Sequence, residues 1–251
     1  NDIQQGRVLG EYAVKVMGGR RVAIIDDRTA YGQGLAEEVE KSITRAGGQV
    51  VAREYTSDKA TDFMAILTAI KAKKPDLVFF GGVDSQAIPM IRQLHQIGIK
   101  ANFLSGDGVR TAEFLKSTGS ESDGVVASSP GVPFEKMPGG VMFEERLRAR
   151  YGAVQSNAPY AYDAVMALIE AMKKANSANP AIYLPELSRV NFVGVTGAIA
   201  FDDKGDLRGG TITLYRAENG KWQFVESIQG IARDDQGIAT ARTIASQAAM
   251  H

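Results

Sequence analysis

The chain has 251 residues, 44% hydrophobic and 23% charged, the balance of a folded globular protein and not of a disordered segment. Lys plus Arg number 29 and Asp plus Glu number 29, so the basic excess that a nucleic-acid partner demands is missing. Cysteine is absent and histidine is limited to His95 and His251, which excludes disulfides, thiolate–zinc sites, Cys nucleophiles and multi-histidine metal centres.

From the start, helical and strand patterns alternate at a steady beat. Ile3 to Met17 carries an apolar stripe of Val8, Leu9, Ala13 and Val16, and Gly18-Gly19 ends it. Arg21 to Asp26 follows as a short strand, apolar on both faces, as suits a parallel strand covered by helices on each side. A helix is predicted from about Tyr31 to Ala46, stopped by Gly47-Gly48. The beat repeats with a strand at Gln49 to Tyr55, a helix at Asp62 to Ala72 and a strand at Asp76 to Phe80. Next come a helix at Ser85 to Ile97, a strand at Ala101 to Leu104, a helix at Thr111 to Ser117 and a strand at Gly124 to Ala127. Alternation of this kind means βαβ units, right-handed crossovers and a doubly wound parallel sheet.

At Ser128 to Gly131 the rhythm breaks. Helices at Gly140 to Tyr151, Tyr160 to Ala175 and Leu184 to Val190 follow with no strands between them. Thr211 to Ala217 and Lys221 to Ser227 then flank Asn219-Gly220, a strong hairpin signal. From Gln229 onward the chain is rich in Ala, Gln and Asp with little stripe, and it is expected to fray. The reading is therefore one complete α/β lobe over about 1–128, followed by a segment with too few strands to make a lobe of its own. No apolar run approaches the roughly 20 residues that span a bilayer. Nor does a charged-then-apolar leader open the chain, so any signal peptide is expected to have been removed.

In a doubly wound sheet, ligands lie outside the carboxyl ends of the strands. Three loops there combine glycine, polar groups and a carboxylate: Asp26 to Gly34, Gly81 to Gln86 and Ser105 to Arg110. Asp27 and Thr29 read as turn and N-cap groups, and Asp84 as a cap for the helix it precedes. Tyr31, with an apolar body and a polar tip, suits either a half-buried aromatic or a ligand contact. Asp107, between two glycines at a strand's carboxyl end, reads as functional. Arg110 reads as a solvated charge and His95 as a surface residue. No nucleophile elbow, phosphate loop or zinc-protease motif occurs. Tyr, Asp and apolar walls without a nucleophile or metal suit recognition of a small cation or zwitterion, with no cofactor.

Several stretches carry a resemblance: NDIQQG at residue 1, VAIIDDRTAYGQGLAEE from Val22 and SDKATDF from Ser57. DLVFFGGVDSQAIPMIRQLHQIGIKANFLSGDG from Asp76, APYAYDAV from Ala158 and IAFDDKGDL from Ile199 continue it in the right order. The sequence resembles the periplasmic substrate-binding proteins of branched-chain amino acid ABC transporters, the leucine/isoleucine/valine-binding family, over residues 1 to about 228. The resemblance implies the type I periplasmic-binding fold, a two-lobed clamp that closes on a ligand in the cleft between lobes and is then read by a membrane permease. Residues 1–128 and 203–228 would form the second lobe, 131–200 the trailing helical part of the first, with crossings near Asn1, Ser128 to Gly131 and Ala200.

Carried over by position, Tyr31 matches a ligand-contacting tyrosine, and Asp107 matches the acidic residue that pairs with the ligand's α-ammonium, Asp replacing the more usual Glu. Tyr160 matches an aromatic that packs on the ligand's side chain. Val83 stands where some members have a contacting tyrosine, and Asp84 beside it is a candidate second ammonium contact. The family's opening segment, with the core of the first lobe and the groups that hold the ligand carboxylate, has no counterpart in this sequence. The resemblance thus implies either a truncated piece or a chain that buries its exposed helical face by dimerising or swapping domains. The expected role is the periplasmic solute-binding component of an amino acid ABC importer, with an amino acid and a permease as partners, no nucleic acid and no catalysis. A ligand-sensing domain of a regulator or receptor, or a small flavodoxin-like enzyme, are the alternatives.

Overall fold

A computed structural model describes residues 1–152, 154–229 and 243–244. Its core follows from strands that are apolar on both faces. In β1 (Arg21–Asp26), Val22 and Ile24 point into one core and Ala23 and Ile25 into the other. β3 (Leu77–Gly81) divides in the same way, Leu77 and Phe79 to one side and Val78 and Phe80 to the other, all fully buried. Side chains alternate across a strand, so such a strand needs helices over both faces.

α1 (Asp2–Lys15) and α2 (Ala30–Arg45) cover one face through Val8, Leu9, Leu35, Val39 and Ile43. α3 (Met64–Ala72), α4 (Asp84–Gln96) and α5 (Ala112–Thr118) cover the other through Leu67, Ile70, Met90, Leu94 and Phe114. With β2 (Gln49–Tyr55), β4 (Asn102–Ser105), β5 (Val126–Pro130), β8 (Thr211–Glu218), β9 (Lys221–Gln229) and β10 (Thr243–Ile244), the sheet runs β10-β9-β8-β5-β4-β3-β1-β2. The β2-β1-β3-β4-β5 part is parallel, and its strand order reverses between β1 and β3, where a doubly wound sheet opens a crevice. β8 and β9 add antiparallel strands, joined at Asn219 (φ 51°) and Gly220 (φ 71°), the left-handed pair that a tight hairpin requires.

By its internal contacts the chain divides into two units. The first holds residues 1–130 and 212–228 with β10, and the second holds 131–211 with Gln229. The second unit contains α6 (Gly140–Tyr151), α7 (Ala158–Ala175), α8 (Pro180–Leu187) and a small hairpin of β6 (Asn191–Val193) and β7 (Ala198–Ala200). Its buried cluster is small, built on Ala167, Ala171, Val190 and Ile199, while Val141, Met142, Val165, Ile182 and Leu184 are more than half exposed.

The doubly wound sheet is as the sequence pattern predicts; four details differ. β5 continues through Ser128 and Ser129, both buried, because these residues pair with Leu214 and Thr213 of β8. The last predicted helix lies earlier, over Pro180–Leu187, where Asn179 caps it by accepting from Ala181 N (3.0 Å) and proline fills its first position. The β6–β7 hairpin replaces a stretch read as strandless. Residues 203–211, which the family resemblance groups with the antiparallel pair, sit in the second unit, where Phe201 bridges to Leu207 and Arg208 N donates to Ala200 O (2.9 Å). The predicted fraying from Gln229 lies outside the described residues apart from Gln229 itself and β10, which pairs antiparallel with β9.

Candidate functional site

The carboxyl ends of β1, β3, β4 and β5 and the first turn of α1 converge on one edge of the sheet. After β1, Asp27 Oδ1 accepts from Thr29 N (3.0 Å) and Thr29 Oγ1 (2.6 Å), and Thr29 Oγ1 accepts from Gly32 N (2.9 Å). These residues form the turn and N-cap that start α2, as their types predict. Asp26 is fully buried and takes Arg53 as its counter-charge. The cap fixes Tyr31 in the first turn of α2, with its ring leaning toward the loop that follows β4.

That loop begins at Ser105, whose Oγ donates to Phe80 O (2.7 Å) and ties β4 to β3. A single helical turn, Asp107–Val109, comes next. Gly106 lies close under two side chains: a Cβ there would collide with the Tyr31 hydroxyl and lie 2.6 Å from Leu35 Cδ2. A Cβ on Gly108 would lie 2.6 Å from Gly82 O and 3.0 Å from Val83 Cγ1, so Val83 flanks the Asp107 turn directly.

Asp107 is the centre of the arrangement. Its Oδ1 accepts from Gln5 Nε2 (2.6 Å) and from the Tyr31 hydroxyl (3.1 Å), and that hydroxyl accepts from Gly108 N (3.3 Å). Gln5 Nε2 also donates to Ser128 Oγ (2.8 Å). Oδ2 accepts no hydrogen bond among the described residues, and it is not sealed away, since the one fully buried side-chain oxygen lacking a hydrogen bond there is Asp26 Oδ2. Nor does any cation pair with Asp107 among the described residues. Burial, and then the Asp107 charge, push the Tyr31 phenol well above its ordinary range, so it is held protonated as a donor. Burial also lifts the Asp2 carboxyl above its usual value; the Asn1 α-ammonium opposes this, and the nearby Asp107 charge adds to it. The result is a half-buried carboxylate with one oxygen fixed by neutral donors and the other open, carrying an uncompensated negative charge.

Of the residues singled out from sequence, the structure brings Tyr31, Val83 and Asp107 together. Asp84 is the first residue of α4, not its cap, and its Oδ2 accepts from Thr111 Oγ1 (2.6 Å), which in turn accepts from Phe114 N (3.0 Å) to start α5. Tyr160 belongs to the second unit, half-buried in the first turn of α7 with its hydroxyl against Gly131. Arg110, read as a solvated charge, instead stacks over the Tyr215 ring at 4.4 Å, because β8 runs beside β5. Gln5 and Asp2 were not singled out. Their signal was the α1 stripe, which continues from Leu9 back to Gln5 at helical spacing. No group of three or more His, Asp or Glu among the described residues is arranged to hold a metal ion.

A family model described as periplasmic binding protein matches residues 1–221. An amino acid binding protein of Pseudomonas aeruginosa is 32% identical over 216 residues, covering 85% of this chain and 58% of the relative. A Leu/Ile/Val-binding protein homolog of Brucella suis is 29% identical over 229 residues, 90% of this chain and 62% of the relative. The chain thus spans about three fifths of the length of these curated relatives. Among solved structures, a leucine binding protein from Thermotoga maritima superposes with a TM-score of 0.83 at 26% identity, covering 90% of this chain and 65% of that one. The branched-chain amino acid transporter substrate binding protein of Streptococcus pneumoniae, solved with isoleucine, has a TM-score of 0.75 over the same shares at 24% identity, a likeness of fold.

Proposed function

Because the chain belongs to the periplasmic binding protein family, we propose that it binds a small zwitterionic amino acid as the solute-binding component of a branched-chain-type ABC importer. The place of action is the periplasm, the partner is a membrane permease, and the role is recognition without catalysis. One observation carries the reading: Asp107 presents Oδ2 unpaired at the sheet edge while Gln5 and Tyr31 hold Oδ1. A carboxylate so arranged is complementary to an α-ammonium group.

In this reading the ligand nitrogen donates to Asp107 Oδ2. Tyr31 keeps the carboxylate from turning, and Val83, 37% exposed beside the Asp107 turn, gives an apolar wall for an aliphatic side chain. Asp84 adds negative potential at the same edge, with one oxygen already committed to Thr111. Tyr160 is assigned a contact with the ligand's side chain on the resemblance alone.

The test is calorimetric titration of L-isoleucine into the full-length protein and its Asp107→Ala variant. A charge-assisted hydrogen bond contributes about 1.5–3 kcal/mol, so the variant is expected to bind at least about tenfold more weakly. Equal affinities would remove Asp107 from the site.

A further inference from the structure

We propose that Gln5 is a positioning residue of this site: its amide turns the Asp107 carboxylate so that Oδ2, and not Oδ1, faces the ligand. The inference rests on the reading of Asp107 as the ammonium contact, and it adds a residue from a different element. Gln5 is 5% exposed and Ser128 is fully buried, so the amide sits inside the fold. An ionised carboxylate only accepts, so the Gln5 atom 2.6 Å from Asp107 Oδ1 is the amide nitrogen, a donor. That nitrogen has two protons and two acceptors, Asp107 Oδ1 and Ser128 Oγ at 2.8 Å. Both bonds together fix the plane of the amide between α1, the turn after β4 and β5.

The consequence for Asp107 is geometric. Gln5 and the Tyr31 hydroxyl both donate to the same oxygen, and nothing among the described residues donates to the other. A carboxylate free to rotate would offer either oxygen; here one is occupied and the other is left for a ligand. The neutrality of the amide matters equally. A lysine at this position would cancel the charge the ligand needs, whereas glutamine fixes the carboxylate and leaves its charge intact. Asp2, one helical turn before Gln5 on the same face of α1, adds to the negative potential.

The test is a double-mutant cycle in the full-length protein, with L-isoleucine as probe, across wild type, Gln5→Leu, Asp107→Asn and the double variant. If Gln5 acts through Asp107, Q5L weakens binding by about tenfold in the wild-type background. In the D107N background it then weakens binding by less than about twofold. Equal losses in both backgrounds, the signature of a merely structural role, would overturn the proposal. Should Q5L fail to fold, Ser128→Ala frees one side of the amide. It is expected to cost a few-fold in affinity in the wild type and nothing in D107N, and equal losses again overturn the proposal. A wild-type protein that ignores L-isoleucine sinks the reading of the site rather than the role of Gln5. In that case crystal structures of the ligand-free protein decide: the Asp107 carboxylate, held in wild type by Gln5 and Tyr31 on Oδ1, must turn from that orientation in Q5L, and an unchanged orientation overturns the proposal.

Discussion

At the residue scale the site is a contest for the two oxygens of Asp107, and Tyr31 is the partner whose removal is cleanest to read. Tyr31→Phe keeps the ring and deletes both the bond to Oδ1 and the acceptor for Gly108 N. It is expected to weaken L-isoleucine binding by roughly tenfold near neutral pH, as measured by calorimetry. A second consequence concerns alkaline stability. The folded phenol is raised above the ordinary value of 10.0, so the stability from neutral Tyr31 is complete below that pH and drains away as pH rises past it. Urea midpoints measured from pH 9 to 11 should therefore fall less in Y31F than in wild type, on the scale set by that ordinary value. An identical decline would show that the phenol is not held neutral by the fold. Tyr31 and Asp107 were legible because their place at strand ends is itself a signal. Gln5 was not, because a polar residue on an apolar stripe shows its purpose only when its partner, 102 positions later, is known. Arg110 misled for the same reason, since its ring partner Tyr215 comes from a strand placed beside β5 only by the tertiary fold.

At the scale of elements, local chemistry decided what could be read. The start of α2 was legible from Thr29 and the stripe that follows it. The close packing of α1 on α2 was not, although Gly6 and Gly10 encode it: a Cβ on Gly10 would lie 2.8 Å from Val39 O, and Ser42 Oγ donates to Arg7 O (2.8 Å) across the same gap. The β6–β7 hairpin was missed because its three-residue strands are too short to show a period. What holds its turn is a buried side chain from α7. Asp163, 3% exposed, accepts from Val195 N (2.9 Å), Thr196 N (2.8 Å) and Thr196 Oγ1 (2.6 Å). Asp163→Ala strands those donors, each costing about 1–3 kcal/mol when left unpaired, so about 3 kcal/mol of stability should be lost from the second unit. Chemical denaturation checks this, and a loss under about 1 kcal/mol would mean the turn is held by other contacts.

For the whole molecule, the doubly wound parallel sheet was legible from alternation, since strands buried on both faces with helices between them are joined by right-handed crossovers; its order β2-β1-β3-β4-β5 comes from the structure. The placement of residues 203–211 in the second unit was not legible, because it depends on the Phe201–Leu207 bridge and on Asp202 Oδ1 accepting from Lys204 N and Asp206 N (both 2.9 Å). A sheet whose order reverses between β1 and β3 concentrates its ligand-facing groups at one edge, and here that edge is negative where the Asp107 turn meets α1. The most direct measurement is therefore a crystal structure of the full-length protein grown with L-isoleucine. The ligand nitrogen is expected within hydrogen-bonding distance, about 2.7–3.2 Å, of Asp107 Oδ2, with Gln5 and Tyr31 still on Oδ1. Isoleucine bound with its nitrogen on other acceptors, or Oδ2 turned onto a protein donor, would contradict it.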